Sequence, residues 1–347
     1  MAAASPPASV APRRSGSRAD VLVVSIAATS GWRIAARELG ASIARTGATV
    51  HTVAAGPLPR VRTFPLTDLV QAHAARGACR RGIAERRPRA IIYCSITAAL
   101  LWPSPGAVWL DSIAAENRPG RHGIWQRVAE RRRLAQTPLV LAMNETALAP
   151  LRDPHPETVT VPCPVEPSGS PQRSRDIDVI TYAGDPEKRR LDLVLDSWSR
   201  ARRGNETLVV AGLDRLPGAS DRTLEGVQVA GRLPSAEYRA LLRRARVFLA
   251  APKREDYGIA PLEALADGCM LVSTPSPGPY PALALARSLD PRLVDQDLAG
   301  ALRVALEDPV PRYAERALEL LAPFRRAAVD RAIAEQVLPR LLPGWRA

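Results

Sequence analysis

Two glutamates, Glu255 and Glu263, stand with seven residues between them in the stretch APKREDYGIAPLEALADG, residues 251–268. Ionised carboxylates only accept hydrogen bonds, and each offers several acceptor sites, which suits them to the hydroxyls of a sugar. Between them lie Gly258, Ile259, Ala260 and Pro261, a turn followed by a helix start where proline loses no hydrogen bond. The N-terminus of such a helix, with its free N–H groups and positive dipole end, binds phosphate. The spacing therefore predicts an anion site flanked by two hydroxyl acceptors, with Glu263 in the first helical turn.

Lysine usage points to the same region. Of 48 basic residues only Lys188 and Lys253 are lysine. Where arginine serves nearly every basic position, a retained lysine suggests a compact, flexible point charge. Lys253 precedes Glu255. Lys188 lies in YAGDPEKRRLDLVLDSW, where Gly184 permits close backbone approach and a helix is predicted to open near Pro186, with Asp185 as a candidate cap. Lys188 with Arg189 or Arg190 in its first turn would oppose the helix dipole unless an anion such as a diphosphate intervened. A third loop, VAGRLPSAEY, places Gly231, Arg232 and Leu233 where a flat base could stack, ahead of a helix capped by Ser235.

These loops need elements to hold them at one place. Apolar, β-branched runs at 21–28, 48–56, 90–96, 107–112 and 139–143 alternate with helical segments at 33–47, 66–87 and 123–135. A Pro/Ser/Gly-dense segment, VPCPVEPSGSPQRSRD, reads as a linker, and the alternation then restarts at DVITYAG. The fold class is α/β, with two Rossmann-like doubly wound domains facing a central cleft, and ligands at the carboxyl ends of the strands. The divisions are 1–19 as a disordered tail, 20–162, a linker at 163–176, 177–325, and a C-terminal helix at 326–347 packing back on the first domain.

Composition sets limits. The chain of 347 residues is 46% apolar and only 4% aromatic, enough for two cores of helices on parallel sheets. No apolar run reaches a membrane span of about 18–20 residues. The four cysteines, Cys79, Cys94, Cys163 and Cys269, are scattered, with no CxxC, which predicts reduced thiols in the cytoplasm and argues against zinc. Residues 1–165 carry 21 arginines against 10 acidic residues, whereas the remainder carries 27 basic against 25 acidic. That basic first half suits a phosphorylated or anionic partner, or the inner face of a membrane; solvated arginine-rich helix faces are the plain alternative.

Taken in order, EDYGIAPLE, YAGDPEK and GRLPSAEY resemble the E-x7-E element, phosphate loop and base-binding loop of retaining glycosyltransferases of the family-4 type, which have the GT-B fold. The resemblance covers roughly residues 176–310. It implies that Glu255 contacts donor-sugar hydroxyls, Glu263 the ribose, Lys188 the diphosphate, Gly258 and Ile259 the distal phosphate, and Arg232 with Leu233 the base. It further implies transfer from a nucleotide-sugar with retention, in which the leaving diphosphate helps deprotonate the acceptor, with no essential metal and no cofactor. Asp185 stands where the family usually has an arginine, which leaves Arg189 or Arg190 to reach back. The first half matches more loosely. Asp111, at the end of its strand in VWLDSIAAENRPGRHG, joins Glu255 and Lys188 as a catalytic candidate. Gly31 in TSGW, Asn117, Arg118 and His122 in the same segment as Asp111, and Asn144 or Glu145 in AMNETALAPL are the acceptor-side candidates.

Three other readings stay open: a nucleotide-sugar-binding protein without transferase activity, a GT-B-like sugar-nucleotide epimerase, and a phosphorylase. The phosphorylase would need a pyridoxal-phosphate lysine, and both lysines already sit in donor loops. Nucleic-acid binding is disfavoured, because the arginines are not interleaved with aromatics in any recognisable module.

Overall fold

The structure, a computed structural model, describes residues 18–26, 29–56, 64–149, 156–170, 175–217 and 224–345. Most of the N-terminal tail, residues 1–17, lies outside them, as do 171–174 of the linker and 150–151 after the fifth strand.

The first unit is a parallel sheet of β1 (Val21–Ser25), β2 (Val50–Ala54), β3 (Ala90–Cys94), β4 (Ala107–Leu110), β5 (Val140–Ala142) and β6 (Thr158–Thr160), in the order β2-β1-β3-β4-β5-β6. The sequence pattern does not predict β6, because its three residues carry too little apolar pattern. The second unit holds β7 (Ile177–Tyr182), β8 (Leu208–Ala211), β9 (Val227–Gly231), β10 (Ala245–Ala250) and β11 (Met270–Ser273), ordered β11-β10-β7-β8-β9. All the pairings are parallel. Helices cover both faces, so the central strands are apolar throughout and Val21, Leu22, Val23 and Val24 are wholly buried.

Chain order reverses direction between β1 and β3 in the first sheet, and between β7 and β10 in the second. Such reversals open a crevice beyond the strand ends. The loops after β7 and β10 carry the lysines and Glu255, so the second crevice gathers the predicted donor motifs.

The connecting segment is less free than its composition suggests. Val161, Cys163 and Val165 are buried in the core. The Val165 N–H donates to the Phe324 carbonyl at 2.8 Å, and the Tyr257 hydroxyl donates to the Cys163 carbonyl at 2.9 Å. Apolar residues at alternate positions turn this stretch into a packed strap rather than a spacer. The C-terminal helices return to the first unit, where Arg45 meets Asp330 at 2.6 Å and Arg326 meets Glu38 at 3.5 Å.

Candidate active site

The helix Ile259–Ala266 starts from Gly258, whose φ of 79° and ψ of 65° are left-handed. A Cβ there would lie 2.8 Å from Tyr280 and 3.1 Å from Glu255, so both conformation and space demand glycine. Because the helix begins at Ile259, Glu263 falls in its second turn rather than the first. Pro261 is its third residue. The N–H groups of Ile259 and Ala260 make no backbone hydrogen bond among the described residues, the usual state of a helix N-terminus, which can bind an anion. Tyr182, Arg189, Ala250, Ala251, Ala260 and Pro261 line a small pocket at this point.

Glu255 reaches that pocket through one of its lining residues, Arg189. Its N–H donates to the Pro277 carbonyl at 3.0 Å, and its carboxylate accepts from Arg189 Nη1. Both side chains are mostly buried, at 13% and 30% exposure. The loop carrying Arg189 departs from expectation: the segment after Gly184 is a series of turns, and the helix begins only at Leu191. Arg190 is left-handed at φ 44° and ψ 55°, held by Nε to the Ala251 carbonyl at 2.8 Å and by Nη2 to Thr274 Oγ1 at 3.0 Å. Lys188, Arg189 and Arg190 therefore precede the helix instead of opposing its dipole, and Asp192 takes the favourable acidic place in the first turn.

Lys188 and Lys253 are joined through the backbone, where Lys253 N–H donates to the Lys188 carbonyl at 2.9 Å. Their ammonium groups stay exposed: Lys188 Nζ lies 3.9 Å from Asp185, and Lys253 Nζ 2.8 Å from Glu187. Gly184 lies over Tyr182, whose ring a Cβ at that position would strike at 3.0 Å or less. Gly231, at the end of edge strand β9, accepts from Gly212 N–H at 2.8 Å. Beside it Arg232 pairs loosely with Asp214 at 3.5 Å, and Leu233 packs partly against the core. Ser235 is the first helical residue with Pro234 before it, so the expected serine cap does not form.

Glu263 sits in a buried charge cluster centred on Arg239, a residue that no motif in the sequence singles out. Arg239 donates to Asp267 at 2.6 Å, to the Glu166 carbonyl at 2.7 Å and to Glu263 at 3.4 Å. Asp267 also accepts from the Ser168 N–H at 2.8 Å. Burial pushes the Glu263 carboxyl up to about 7 against the pull of Arg239, with Asp267 adding to the rise.

Across the cleft, Gly31 lies in the first turn of helix Ser30–Arg45, and a Cβ there would be 3.8 Å from Ile259 Cδ1. Two helix N-termini, one from each unit, thus face each other. Asp111 follows β4. Burial raises its carboxyl to about 7, and the like charge of Asp256 from the second unit contributes. Arg254 ties the units, with Nε 2.7 Å from Asp256 and Nη1 3.7 Å from Glu116; its Nη2 is buried with no partner among the described residues. Arg254 and Asp256 flank Glu255 in sequence, but only their partners across the cleft reveal them.

The remaining acceptor-side candidates scatter. Asn117 Nδ2 donates to Ser112 at 2.6 Å. Arg118 makes a two-pronged pair with Asp68 at 2.9 and 3.2 Å, which fixes the first unit rather than opening a free cation to the cleft. The His122 side chain lies outside the described residues. Asn144 caps the turn Glu145–Leu148 by accepting from Ala147 N–H at 2.9 Å, while its buried Nδ2 has no partner among the described residues. Among the described residues no three His, Cys, Asp or Glu side chains gather as a metal site, no helix is long and apolar enough to cross a membrane, and all four cysteines are buried and unpaired.

Residues 177–322 match the family of glycosyl transferases group 1. No curated protein sequence matches the chain. The structure is similar to a UDP-forming α,α-trehalose-phosphate synthase from Burkholderia xenovorans, with TM-score 0.63 and 12% identity over 95% of this chain and 100% of that one. It is also similar to WaaG, a glycosyltransferase involved in lipopolysaccharide biosynthesis, with TM-score 0.61 and 14% identity over 92% and 97%. A third is the pneumococcal O-GlcNAc transferase GtfA in complex with UDP and GlcNAc, with TM-score 0.54 and 13% identity over 73% of this chain; this chain spans 57% of GtfA. The fold is GT-B. The match of residues 177–322 to glycosyl transferases group 1 supports glycosyl transfer, and the neighbours show the fold.

Proposed function

We propose that the protein transfers a sugar from a nucleotide-sugar to an acceptor with retention of anomeric configuration. The observation that carries this reading is the meeting of Glu255, Arg189 and the free N-terminus of helix Ile259–Ala266 at the β7/β10 reversal, inside the segment that matches the family. In this reading Glu255 grips donor-sugar hydroxyls, and Glu263 takes the ribose. Arg189 leaves Glu255 for the diphosphate, with Lys188 adding an exposed cation. The N–H groups of Ile259 and Ala260 take the distal phosphate, and Arg232 with Leu233 frames the base.

Charge that develops on the departing diphosphate is then met by a preorganised cation and helix terminus. The diphosphate oxygen can accept the acceptor hydroxyl's proton on the same face, without a metal. Asp111 lies where the acceptor would enter from the first unit. One neighbour is UDP-forming and another holds UDP, so uridine nucleotides are the first donors to try.

The test is a thermal-shift screen of UDP-, GDP- and ADP-sugars, followed by NMR assignment of the product anomer. Stabilisation by one donor class, reduced in Glu263→Ala, supports the site. No stabilisation by any nucleotide-sugar removes it. A second reading, donor binding without transfer, is favoured by Asp185, which lies 3.9 Å from the Lys188 ammonium; donor stabilisation with no turnover of any acceptor would select it.

A further inference from the structure

Helix Ile124–Leu134 is turned inside out. The residues it buries are Gln126, Glu130 and Leu134, two of them polar. Glu130 accepts the Ala114 N–H through both oxygens at 2.8 Å, and Gln126 donates to Asp68 at 3.4 Å. Ile124, Trp125 and Val128, by contrast, are 52%, 37% and 51% exposed. A helix packed for stability alone would bury that apolar set.

Two further exposed leucines lie on the helix that carries Asp68, the partner of Gln126. Leu66 and Leu69, 47% and 44% exposed, lie on helix Phe64–Arg86, on either side of the Asp68 that Gln126 and Arg118 hold. Arg121, Arg131 and Arg132 are exposed around the same helix. Its one carboxylate, Glu130, is buried and raised to about 7 by desolvation. The face is therefore apolar at its centre and positive at its rim, within the half of the chain that carries the excess of arginine.

We propose that this face docks on an anionic lipid surface, with Ile124, Trp125 and Val128 entering the headgroup boundary and the arginines meeting lipid phosphates. An interfacial helix with apolar and basic residues together on its outward side fits that surface. A second copy fits less well, since it would bring the arginine rims together. Nucleic acid would leave the aliphatic groups without burial. The proposal stands independently of the donor-site reading.

The test is co-sedimentation of the full chain with vesicles of phosphatidylcholine alone or with added phosphatidylglycerol, at low and high salt. Binding to the anionic vesicles is expected to be at least about tenfold tighter and to weaken with salt. Arg131→Gln with Arg132→Gln should weaken it about fivefold per arginine. Ile124→Ser with Trp125→Ser and Val128→Ser should abolish it, with the circular-dichroism melt unchanged and the nucleotide-sugar thermal shift as in the wild type. Equal affinity for both vesicles, no sedimentation, or full binding by either variant would overturn the proposal. So would duplex DNA binding as tight as that to vesicles, or a dimer that only the triple variant loses.

Discussion

The guanidinium of Arg189 donates from Nη1 to Oε2 of Glu255, joining residues 66 apart beside the small pocket that Arg189 lines. In the free protein each side chain therefore satisfies the other; under the function proposed above, a diphosphate that draws Arg189 away would release a carboxylate for sugar hydroxyls. Arg189→Ala is expected to weaken nucleotide-diphosphate binding about tenfold or more, in line with a charge-assisted bond of about 1.5–3 kcal/mol. Glu255→Gln should lower turnover more than donor affinity. In a double-mutant cycle the two should be non-additive; strict additivity in kcat/KM would separate the residues functionally.

Arg239 holds Glu263, Asp267 and the Glu166 carbonyl together. Arg239→Ala strands two buried carboxylates, and a loss of about 3–5 kcal/mol in urea unfolding is expected. Arg239→Lys, with one compact charge for a forked one, should recover part of the stability but not the donor affinity. Donor affinity left intact in a folded Arg239→Lys variant would dissociate the cluster from ribose binding.

Gly258→Ala meets Tyr280 at 2.8 Å in a left-handed backbone. The conformation alone costs about 1–2 kcal/mol, and the clash shifts the helix start that offers its N–H groups. A lower Tm together with lost nucleotide-sugar stabilisation is expected. An alanine variant with wild-type Tm and binding would contradict this account of the turn.

Glu263 is raised to about 7. Ribose hydroxyls donate to the ionised form, so donor binding should strengthen as pH rises through 7 and weaken by up to about tenfold per unit below it. Glu263→Gln should flatten that dependence in calorimetric titrations. A wild-type affinity independent of pH between the usual carboxylate range and 8 would remove the carboxylate from the ribose site.

Stability should run the other way. Asp111, Glu130 and Glu263 all have folded values near 7, above their unfolded ones. The folded state therefore holds the extra protons, and the associated stability is present below the unfolded values and lost as pH rises through 7. Asp20 and Asp290 are held low by Thr49 and Arg292 respectively, so their contribution is lost at acid pH. The Tm is expected to peak at mildly acidic pH and to fall by several degrees on going to slightly alkaline buffer; a Tm rising steadily to pH 8 would refute this assignment of buried acids.

Much of the architecture is legible from local pattern. Runs such as VLVVS and AIIYC can only be strands buried on both faces, and the turn at Gly258 declares a helix start in the residues themselves. Boundaries failed where a distant contact decided them. Arg190 adopts a left-handed conformation while bound to Ala251 and Thr274, which delays the helix to Leu191, and no residue between 184 and 190 announces it. The segment at 163–170 looked like a spacer by composition, yet its alternate Cys163 and Val165 are buried.

The sequence by itself determined the alternation of strands and helices, the glycine and proline that open the helix Ile259–Ala266, and the supply of carboxylates and cations in the loops. These are local properties, written in side-chain size, branching and backbone freedom. Only the tertiary structure decided which charges meet. Arg189 with Glu255, Arg239 with Glu263, and Asp111 with Asp256 depend on sheet order and on two units closing across a cleft. The outward turn of Ile124, Trp125 and Val128 likewise depends on Asp68 and Ala114 claiming the polar side of their helix. Charges and faces are matched through space, and a chain read residue by residue carries no record of that distance.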